Sequence, residues 1–251
     1  MTETTAELYD RSSDRWERTA PVLLSDFTAR PFLLNWSLPL ESQRVLDLGT
    51  GEGYVARQLM ERGAASVHGI DVSAEMIARA RSQKEGQEQA LSYAVGDATC
   101  LAEQEDASFD LVMAVFLFNY LDREQTQACM SEVARVLRPG GRFIFAVPHP
   151  SLPFVREEQP PFYFARGDQG YFSGRDALFE GRIWRRGGEG VRVRCVHKTL
   201  DDYFQALAGA GFRHMPELRE LHATDEHLAF DPEFFEPLRD QPLHLAFRLE
   251  R

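Results

Sequence analysis

The chain has 251 residues, enough for one large domain or for one domain that carries an insertion. Its hydrophobic content of 43% is typical of a soluble globular protein, and no apolar run is long enough to span a membrane. A formal net charge of −11 argues against a nucleic-acid partner, because phosphates would be repelled over most of the surface. The polar N-terminus and three scattered cysteines (Cys100, Cys129 and Cys195) predict a cytoplasmic protein without a metal site.

Residues 1–40 are predicted to form an N-terminal helical flap. Two short helices are expected over 5–37, separated by Pro21, and the segment is rich in aromatic residues. One interpretation is that these aromatic side chains simply pack onto the domain. The other is that the segment covers a bound ligand, with Tyr9 as the contact.

A glycine turn follows at 45–57, with the sequence VLDLGTGEGYVAR. It predicts a buried strand, a tight turn through Gly49 and Gly51, and the start of a helix. Glycines let a ligand approach the backbone, and a helix start offers free N–H groups. Asp47 lies where the strand ends, at the edge of an open α/β sheet that binds ligands. An ordinary strand–helix turn is the alternative interpretation.

Further strands alternate with helices after this turn. Asp71 lies 20 residues after Gly51, the spacing at which a βαβ unit brings a carboxylate to ribose hydroxyls. The alternation predicts an α/β fold with a doubly wound, mostly parallel sheet, whose strand ends meet along one edge. Strands are expected at 67–71, 91–95, 109–116 and 142–147. The residues expected to gather at the edge are Asp47, Asp71, Asp97, Phe116, Asn119 and His149.

Residues 149–198 differ from the α/β core predicted over 41–148, because they are rich in aromatic residues and arginine. The sequence GRIWRR-GGEG-VRVRCV predicts a β-hairpin. An insertion of this length after the fifth strand exceeds a simple connection, which favours a cap over the ligand edge. A solvated hairpin without a ligand role is the alternative. Residues 199–251 are predicted to add a closing helix and two strands, which gives a sheet of seven.

The ordered motifs DLGTGEG, GIDVS, GDA, FDLVMAVF and LRPGGRFIFA resemble the class I S-adenosylmethionine-dependent methyltransferase family over about residues 40–148. Thr50 stands where that family usually has a cysteine. The hairpin and HKTLDDYFQALAGAGF resemble a bacterial small-molecule methyltransferase subgroup. The resemblance implies a Rossmann-like methyltransferase fold and S-adenosyl-L-methionine as cofactor.

The resemblance also implies cofactor-binding roles for eleven residues. Gly49, Thr50 and Gly51 would pack against the methionine part and the ribose, Asp47 would place the methionine amino group, and Asp71 would bind both ribose hydroxyls. Val72 and Met76 would flank the adenine, and Asp97 would accept the exocyclic N–H of the adenine beside Ala98. Phe116 would line the sulfonium, and Tyr9 would close over the cofactor.

The expected function is methyl transfer to N, O or C of a small planar or aromatic metabolite by in-line displacement. The reaction mainly needs position and exclusion of water, which suits a sequence without a catalytic triad. His149 is the first candidate base, because it follows the fifth strand and histidine titrates near neutral pH. His197 would enter the site if the hairpin folds back, and Asn119 could orient the substrate. Each of these three residues also has a purely structural interpretation, and a neutral amine would need no base.

Three other functions were weighed against this one. A nicotinamide dehydrogenase would need a glycine at Tyr54 to complete G-x-G-x-x-G. A nucleic-acid methyltransferase is disfavoured by charge and by the lack of an N-P-P-Y type motif after the fourth strand. A protein of this fold that catalyses a non-methylating reaction such as cyclisation, or that only binds a ligand, stays open. The partner is expected to be a small-molecule substrate, and the protein a monomer or homodimer.

Overall fold

A seven-stranded sheet organises the chain. The structure is a computed structural model that describes residues 4–12, 16, 20–83 and 90–251. Its strands are β1 (Arg44–Leu48), β2 (Ser66–Asp71), β3 (Leu91–Val95), β4 (Phe109–Val115), β5 (Leu137–Pro148), β6 (Phe162–Ala165), β7 (Leu178–Trp184), β8 (Gly190–Val196), β9 (Glu217–Leu221) and β10 (His244–Glu250). Its helices are α1 (Thr5–Ser12), α2 (Leu24–Thr28), α3 (Arg30–Trp36), α4 (Tyr54–Glu61), α5 (Ala74–Ser82), α6 (Arg123–Val136), α7 (Leu152–Val155), α8 (Leu200–Gly209), α9 (Asp225–Phe230) and α10 (Pro232–Phe235).

The strand order in the large sheet is β3-β2-β1-β4-β5-β10-β9. The first five of these strands pair in parallel, whereas β10 is antiparallel to both β5 and β9. This confirms the predicted α/β fold with a mostly parallel seven-stranded sheet. The strand order reverses between β1 and β4, and ligands of such sheets bind outside the carboxyl ends of the strands at that point.

Apolar side chains cover both faces of the sheet, as expected for strands that are buried on each side. One face packs against α6 and α8 through a group of stacked phenylalanines that includes Phe143, Phe145 and Phe247. The other face packs against α3, α4 and α5. These two layers hold the strand ends in fixed positions. Among the described residues, no helix is long and apolar enough to cross a membrane.

The bounds of the core differ from the sequence prediction at β5. The strand begins at Leu137 instead of Arg142, so α6 ends before the Pro139–Gly141 turn. The chain terminus explains the extension, because the N–H of Gly140 donates to the carbonyl of Arg251 at 2.8 Å. In return, the N–H of Arg251 donates to the carbonyl of Gly141 at 2.9 Å. This pairing is between residues more than a hundred positions apart.

Residues 162–196 form a separate three-stranded antiparallel sheet in the order β6-β7-β8. The hairpin of β7 and β8 occurs where the sequence predicts it. The third strand, β6, was not predicted, because it has only four residues and directly follows two prolines. The described residues of the leading segment form three helices instead of two, and the strand expected from Phe212 begins only at Glu217.

Candidate functional site

A cavity of about 320 Å³ lies at the carboxyl ends of β1, β2 and β4. Its walls come from three parts of the chain: the strand ends of the large sheet, the N-terminal helices and the three-stranded sheet. The cavity is mainly apolar, with a few polar groups that converge on it, as in most small-molecule sites. The predicted cofactor residues all line it, namely Tyr9, Asp47, Gly49, Thr50, Gly51, Asp71, Val72, Met76, Asp97, Ala98 and Phe116.

The glycine turn after β1 forms one wall. Gly49 and Gly51 have φ angles of 68° and 57°, a conformation that favours glycine. A Cβ atom at Gly51 would lie 3.2 Å from Cε of Met76, so any side chain there would crowd the wall. The N–H of Gly51 donates to Oδ2 of Asp71 at 2.8 Å and thereby locks the turn to the end of β2.

The carboxylate of Asp71 points to the same wall. Its Oδ1 accepts the N–H of Ser73 at 2.9 Å, and its Oδ2 accepts the N–H of Gly51. A carboxylate has about four lone-pair positions, so it can accept more than these two bonds. Burial raises the pKa of Asp71, while the backbone N–H groups of Ser73, Gly51 and Val72 lower it. Asp71 is therefore held in place by the backbone and keeps acceptor capacity for a ligand.

Asp47 lies deeper, at the end of β1, and only 1% of its surface is exposed. Its Oδ2 accepts the hydroxyl proton of Thr50 at 2.6 Å. Burial raises the pKa of Asp47 to about 7, against the opposing effect of the Thr50 hydrogen bond. A ligand with a positive charge beside this carboxylate would favour the ionised form.

Asp97, Ala98, Val72 and Met76 form another part of the cavity lining. Oδ1 of Asp97 accepts both the N–H and the hydroxyl of Thr99 at 2.8 Å, which fixes the carboxylate. This part of the lining thus combines three apolar side chains with one acceptor, which suits a flat ring that carries an N–H donor.

Helix α1 lies over the cavity and is held at two points. The hydroxyls of Tyr9 and Tyr120 form a hydrogen bond, and their rings meet edge to face with centroids 5.4 Å apart. Asp10 accepts a hydrogen bond from the hydroxyl of Ser73, which also caps α5 by accepting the N–H of Met76. The first helix is thus bound to elements on both sides of the cavity.

Phe116 and Asn119 follow β4 and line the middle of the cavity. Phe116 has a φ angle of 62°, a strained value for a residue other than glycine. Asn119 is 3% exposed, and its amide nitrogen lies 3.5 Å from the carbonyl of Arg194 on β8. Its Oδ1 is buried without a hydrogen-bond partner among the described residues. Asn119 therefore has an acceptor atom to offer.

The three-stranded sheet supplies a further part of the cavity lining. Side chains from all three of its strands line the cavity together with Leu23 from the N-terminal segment. These cap residues are Phe162, Phe164, Ile183 and Val193. This part of the lining is thus strongly apolar, and it belongs to the same cavity as the carboxylates.

His149 does not line the cavity, which corrects the expectation that it faces the ligand edge. Its Nδ1 accepts the N–H of Ser151 at 3.1 Å, and its Nε2 lies 2.9 Å from Oε1 of Glu220. Glu220 is on the edge strand β9, which pairs with β10. The contact with Glu220 therefore places the His149 ring towards the edge of the sheet. Both ring nitrogens of His149 are engaged there.

His197 also lies outside the cavity, although the hairpin does fold over the site. Its ring stacks on Phe179 with centroids 5.2 Å apart, and its Nε2 lies 2.8 Å from the carbonyl of Tyr171. Burial lowers the pKa of His197 and so favours the neutral ring. The side chain packs inside the cap and contacts other cap residues.

Polar residues that sequence reasoning missed also line the cavity, among them Ser25, Arg30 and His244. Arg30 forms an ion pair with Asp26 at 2.9 Å, and its guanidinium lies over the ring of Phe116 at 5.5 Å. His244 lies at the start of β10 and is opposite Pro148 in the sheet. The pairing of the last strand could have pointed to His244. Because β10 runs antiparallel to β5, its first residue lies at the ligand edge.

Comparisons with known proteins support a common origin for this core. Residues 45–141 match the family model described as a methyltransferase domain. The crystal structure of an S-adenosylmethionine-dependent methyltransferase from Mesorhizobium loti superposes with a TM-score of 0.68 at 27% identity. That alignment covers 90% of this chain and 99% of that one.

Two curated relatives each match less than half of this chain. The methyltransferase GfsG of Streptomyces halstedii is 41% identical over 106 residues, which are 41% of this chain and 37% of that protein. The ubiquinone biosynthesis O-methyltransferase of Maricaulis maris is 32% identical over 115 residues, 46% of this chain and 44% of that protein. The chain spans about half, or less, of the length of the curated relatives it matches first.

Proposed function

We propose that this chain, which belongs to the class I S-adenosylmethionine-dependent methyltransferase family, methylates a small planar or aromatic metabolite at N, O or C. The observation that carries the proposal is the single cavity that joins the glycine turn and Asp71 to the apolar end formed by the cap. One end of that cavity suits the family's cofactor, S-adenosyl-L-methionine, and the other is built from different parts of the chain. A substrate would bind at that second end.

The residues of the first end offer acceptors that suit the donor groups of the cofactor. Asp71 keeps acceptor capacity for the ribose hydroxyls, and the wall at Gly49 and Gly51 places no side chain against the ribose and methionine parts. Asp47 is the carboxylate for the amino group, and Asp97 is the acceptor for the adenine N–H. Val72 and Met76 would enclose the adenine ring.

When bound, the cofactor supplies a sulfonium methyl group that a nucleophile displaces in line. The protein contributes to catalysis by holding the acceptor atom close to that methyl group and by excluding water. Tyr9 and Tyr120 close one side of the cavity through their hydrogen bond, and Phe116 forms the wall between the two ends. The apolar cap residues exclude water from the substrate end.

Asn119 is the residue we assign to orienting the substrate. Its buried Oδ1 lacks a partner among the described residues, and Asn119 lines the cavity. His149 and His197 are left out of the proposed machinery, because neither ring lines the cavity. The proposed chemistry therefore uses position rather than a histidine base. A cytoplasmic location and a monomeric or homodimeric state stay predictions from the sequence.

Calorimetric titration with S-adenosylhomocysteine, with NAD as control, tests the cofactor. We expect micromolar binding of the first compound and none of the second. Transfer of labelled methyl groups to a panel of small aromatic acceptors then tests the reaction. Binding without transfer to any acceptor would favour a non-methylating reaction or a binding protein, and binding of NAD alone would contradict the proposal.

A further inference from the structure

His244 occupies a distinctive place at the substrate end of the cavity. It is the first residue of β10, 1% of its surface is exposed, and it contributes to the cavity wall. Its ring lies 5.0 Å from that of Phe116 and 6.2 Å from that of Phe162, measured between centroids. It therefore lies where a planar substrate would contact both the core and the cap.

The hydrogen bonds around His244 indicate which nitrogen carries its proton. Nε2 lies 3.0 Å from the hydroxyl oxygen of Thr28, and that oxygen also lies 3.0 Å from the carbonyl of Leu24, to which it can donate its only proton. With the hydroxyl donating to that carbonyl, Thr28 accepts from the ring, and we assign the ring hydrogen to Nε2 on this basis. Nδ1 is left with a lone pair, and the described part of the chain gives it neither a hydrogen-bond partner nor contact with solvent.

The ring of His244 stays neutral over the working range of pH. Burial is the main cause that lowers its pKa to about 3, and the charges of Arg30 on α3 and His149 after β5 add to it. A group with so low a pKa is a poor proton acceptor but remains a hydrogen-bond acceptor. Buried polar atoms without partners are rare in folded proteins and call for an explanation.

We propose that Nδ1 of His244 determines substrate specificity by accepting a hydrogen bond from an O–H or N–H group on a planar substrate seated against Phe116 and Phe162. The inference rests on the proposed function, because it concerns the substrate of that same site. Since no solvent reaches Nδ1 in this conformation, the proposal requires the flanking rings to move apart when the donor binds. An analogue with a methyl group in place of the donor hydrogen leaves Nδ1 unpaired and binds more weakly.

The test uses two matched pairs of probes on the full chain saturated with S-adenosylhomocysteine. The pairs are 2-naphthol with 2-methoxynaphthalene, for an O–H donor, and indole with 1-methylindole, for an N–H donor. We expect wild type to bind the protic member of at least one pair about tenfold more tightly. His244→Phe should bring that ratio close to one, and His244→Asn, which keeps an acceptor near Nδ1, should restore part of it.

Thr28→Val provides a second variant that leaves the imidazole in place. It removes the acceptor that fixes the proton on Nε2, so the same ratio should fall, whereas Thr28→Ser should retain it. In spectra of 15N-histidine, we expect the Nδ1 signal of His244 to shift with the protic probe and not with its methylated partner.

The outcomes separate the two proposals. Failure of S-adenosylhomocysteine to bind overturns the proposed function and the substrate role of His244 with it. If that ligand binds but the protic preference is absent in wild type, or survives in both His244→Phe and Thr28→Val, the assignment of His244 alone is wrong. A preference confined to one pair identifies the donor as O–H or N–H.

Discussion

The hydroxyl groups of Tyr9 and Tyr120 hydrogen-bond to each other although the residues lie 111 positions apart in the chain. The bond links α1 to the turn after β4, and both residues line the cavity. Burial, together with the neighbouring Tyr120, raises the pKa of Tyr9 well above its ordinary value. Both hydroxyls therefore remain protonated at physiological pH, and the bond persists. We interpret this pair as the latch that holds the first helix over the cofactor.

Tyr9→Phe should speed the release of S-adenosylhomocysteine roughly tenfold, because it removes the latch and keeps the edge-to-face ring contact. Stopped-flow measurement of the dissociation rate checks this, with Tyr163→Phe on the cap as the matched control. Tyr120→Phe should give the same effect, and the double variant should add little, because both changes remove one hydrogen bond. Additive effects in the double variant would show that the hydroxyls act separately.

Asp71→Asn should weaken S-adenosylhomocysteine binding by at least tenfold. The amide replaces one acceptor oxygen by a donor, which opposes the N–H of Gly51 or that of Ser73 and removes acceptor positions for the ribose. Calorimetry measures the change, and Asp168→Asn, at an exposed position of the cap, is the control. An unchanged affinity in Asp71→Asn would disprove the ribose assignment.

The cofactor end of the cavity could be predicted from the sequence because its geometry is local. A strand, a glycine turn and a helix follow one another within 45–57, and the carboxylate of Asp71 is one βαβ unit away. Parallel strands bring their carboxyl ends to one edge whatever their order in the sheet. The positions of Asp47, Asp71 and Asp97 on the cavity wall follow from these short-range rules.

The substrate end could not be predicted, because its residues meet only through long-range contacts. His149 follows β5 as expected, yet its ring turns to Glu220 on a strand more than seventy residues away. His244 reaches the cavity because β10 runs antiparallel to β5, and Arg30 reaches it from the helix that precedes the whole core. No periodicity in the sequence predicts these long-range contacts.

Asn119→Ala should lower kcat/KM for a methyl acceptor by about tenfold or more and leave S-adenosylhomocysteine affinity unchanged. The reason is that Asn119 lines the cavity with an Oδ1 that has no hydrogen-bond partner among the described residues, so its loss affects substrate orientation. Steady-state kinetics and calorimetry together measure the two effects. Asn35→Ala, at an exposed position of α3, is the matched control. Equal losses in both quantities would indicate a structural role through the contact with Arg194.

His149→Gln should keep kcat/KM within about twofold of wild type at every pH tested, because the ring is engaged with Ser151 and Glu220 outside the cavity. A pH–rate profile from pH 5 to 9 provides the measurement, since loss of a general base would flatten its acidic limb. Glu220→Gln serves as the companion variant and should behave alike. A large fall in turnover for His149→Gln alone would restore this residue as the candidate base.

Asp47→Asn should make the ligand-free protein more stable than wild type above pH 7, and the gain should shrink as the pH falls. Burial raises the folded-state pKa of Asp47 to about 7, whereas an unfolded aspartate titrates near pH ~4. Between these values the folded state binds more protons, so wild type loses stability as pH rises from ~4 to ~7, by on the order of a few kcal/mol. Denaturant unfolding of both proteins at pH 5, 6, 7 and 8 measures the difference, and Asp168→Asn should show no such trend. A difference that is constant over this range would mean that Asp47 is already ionised in the folded protein.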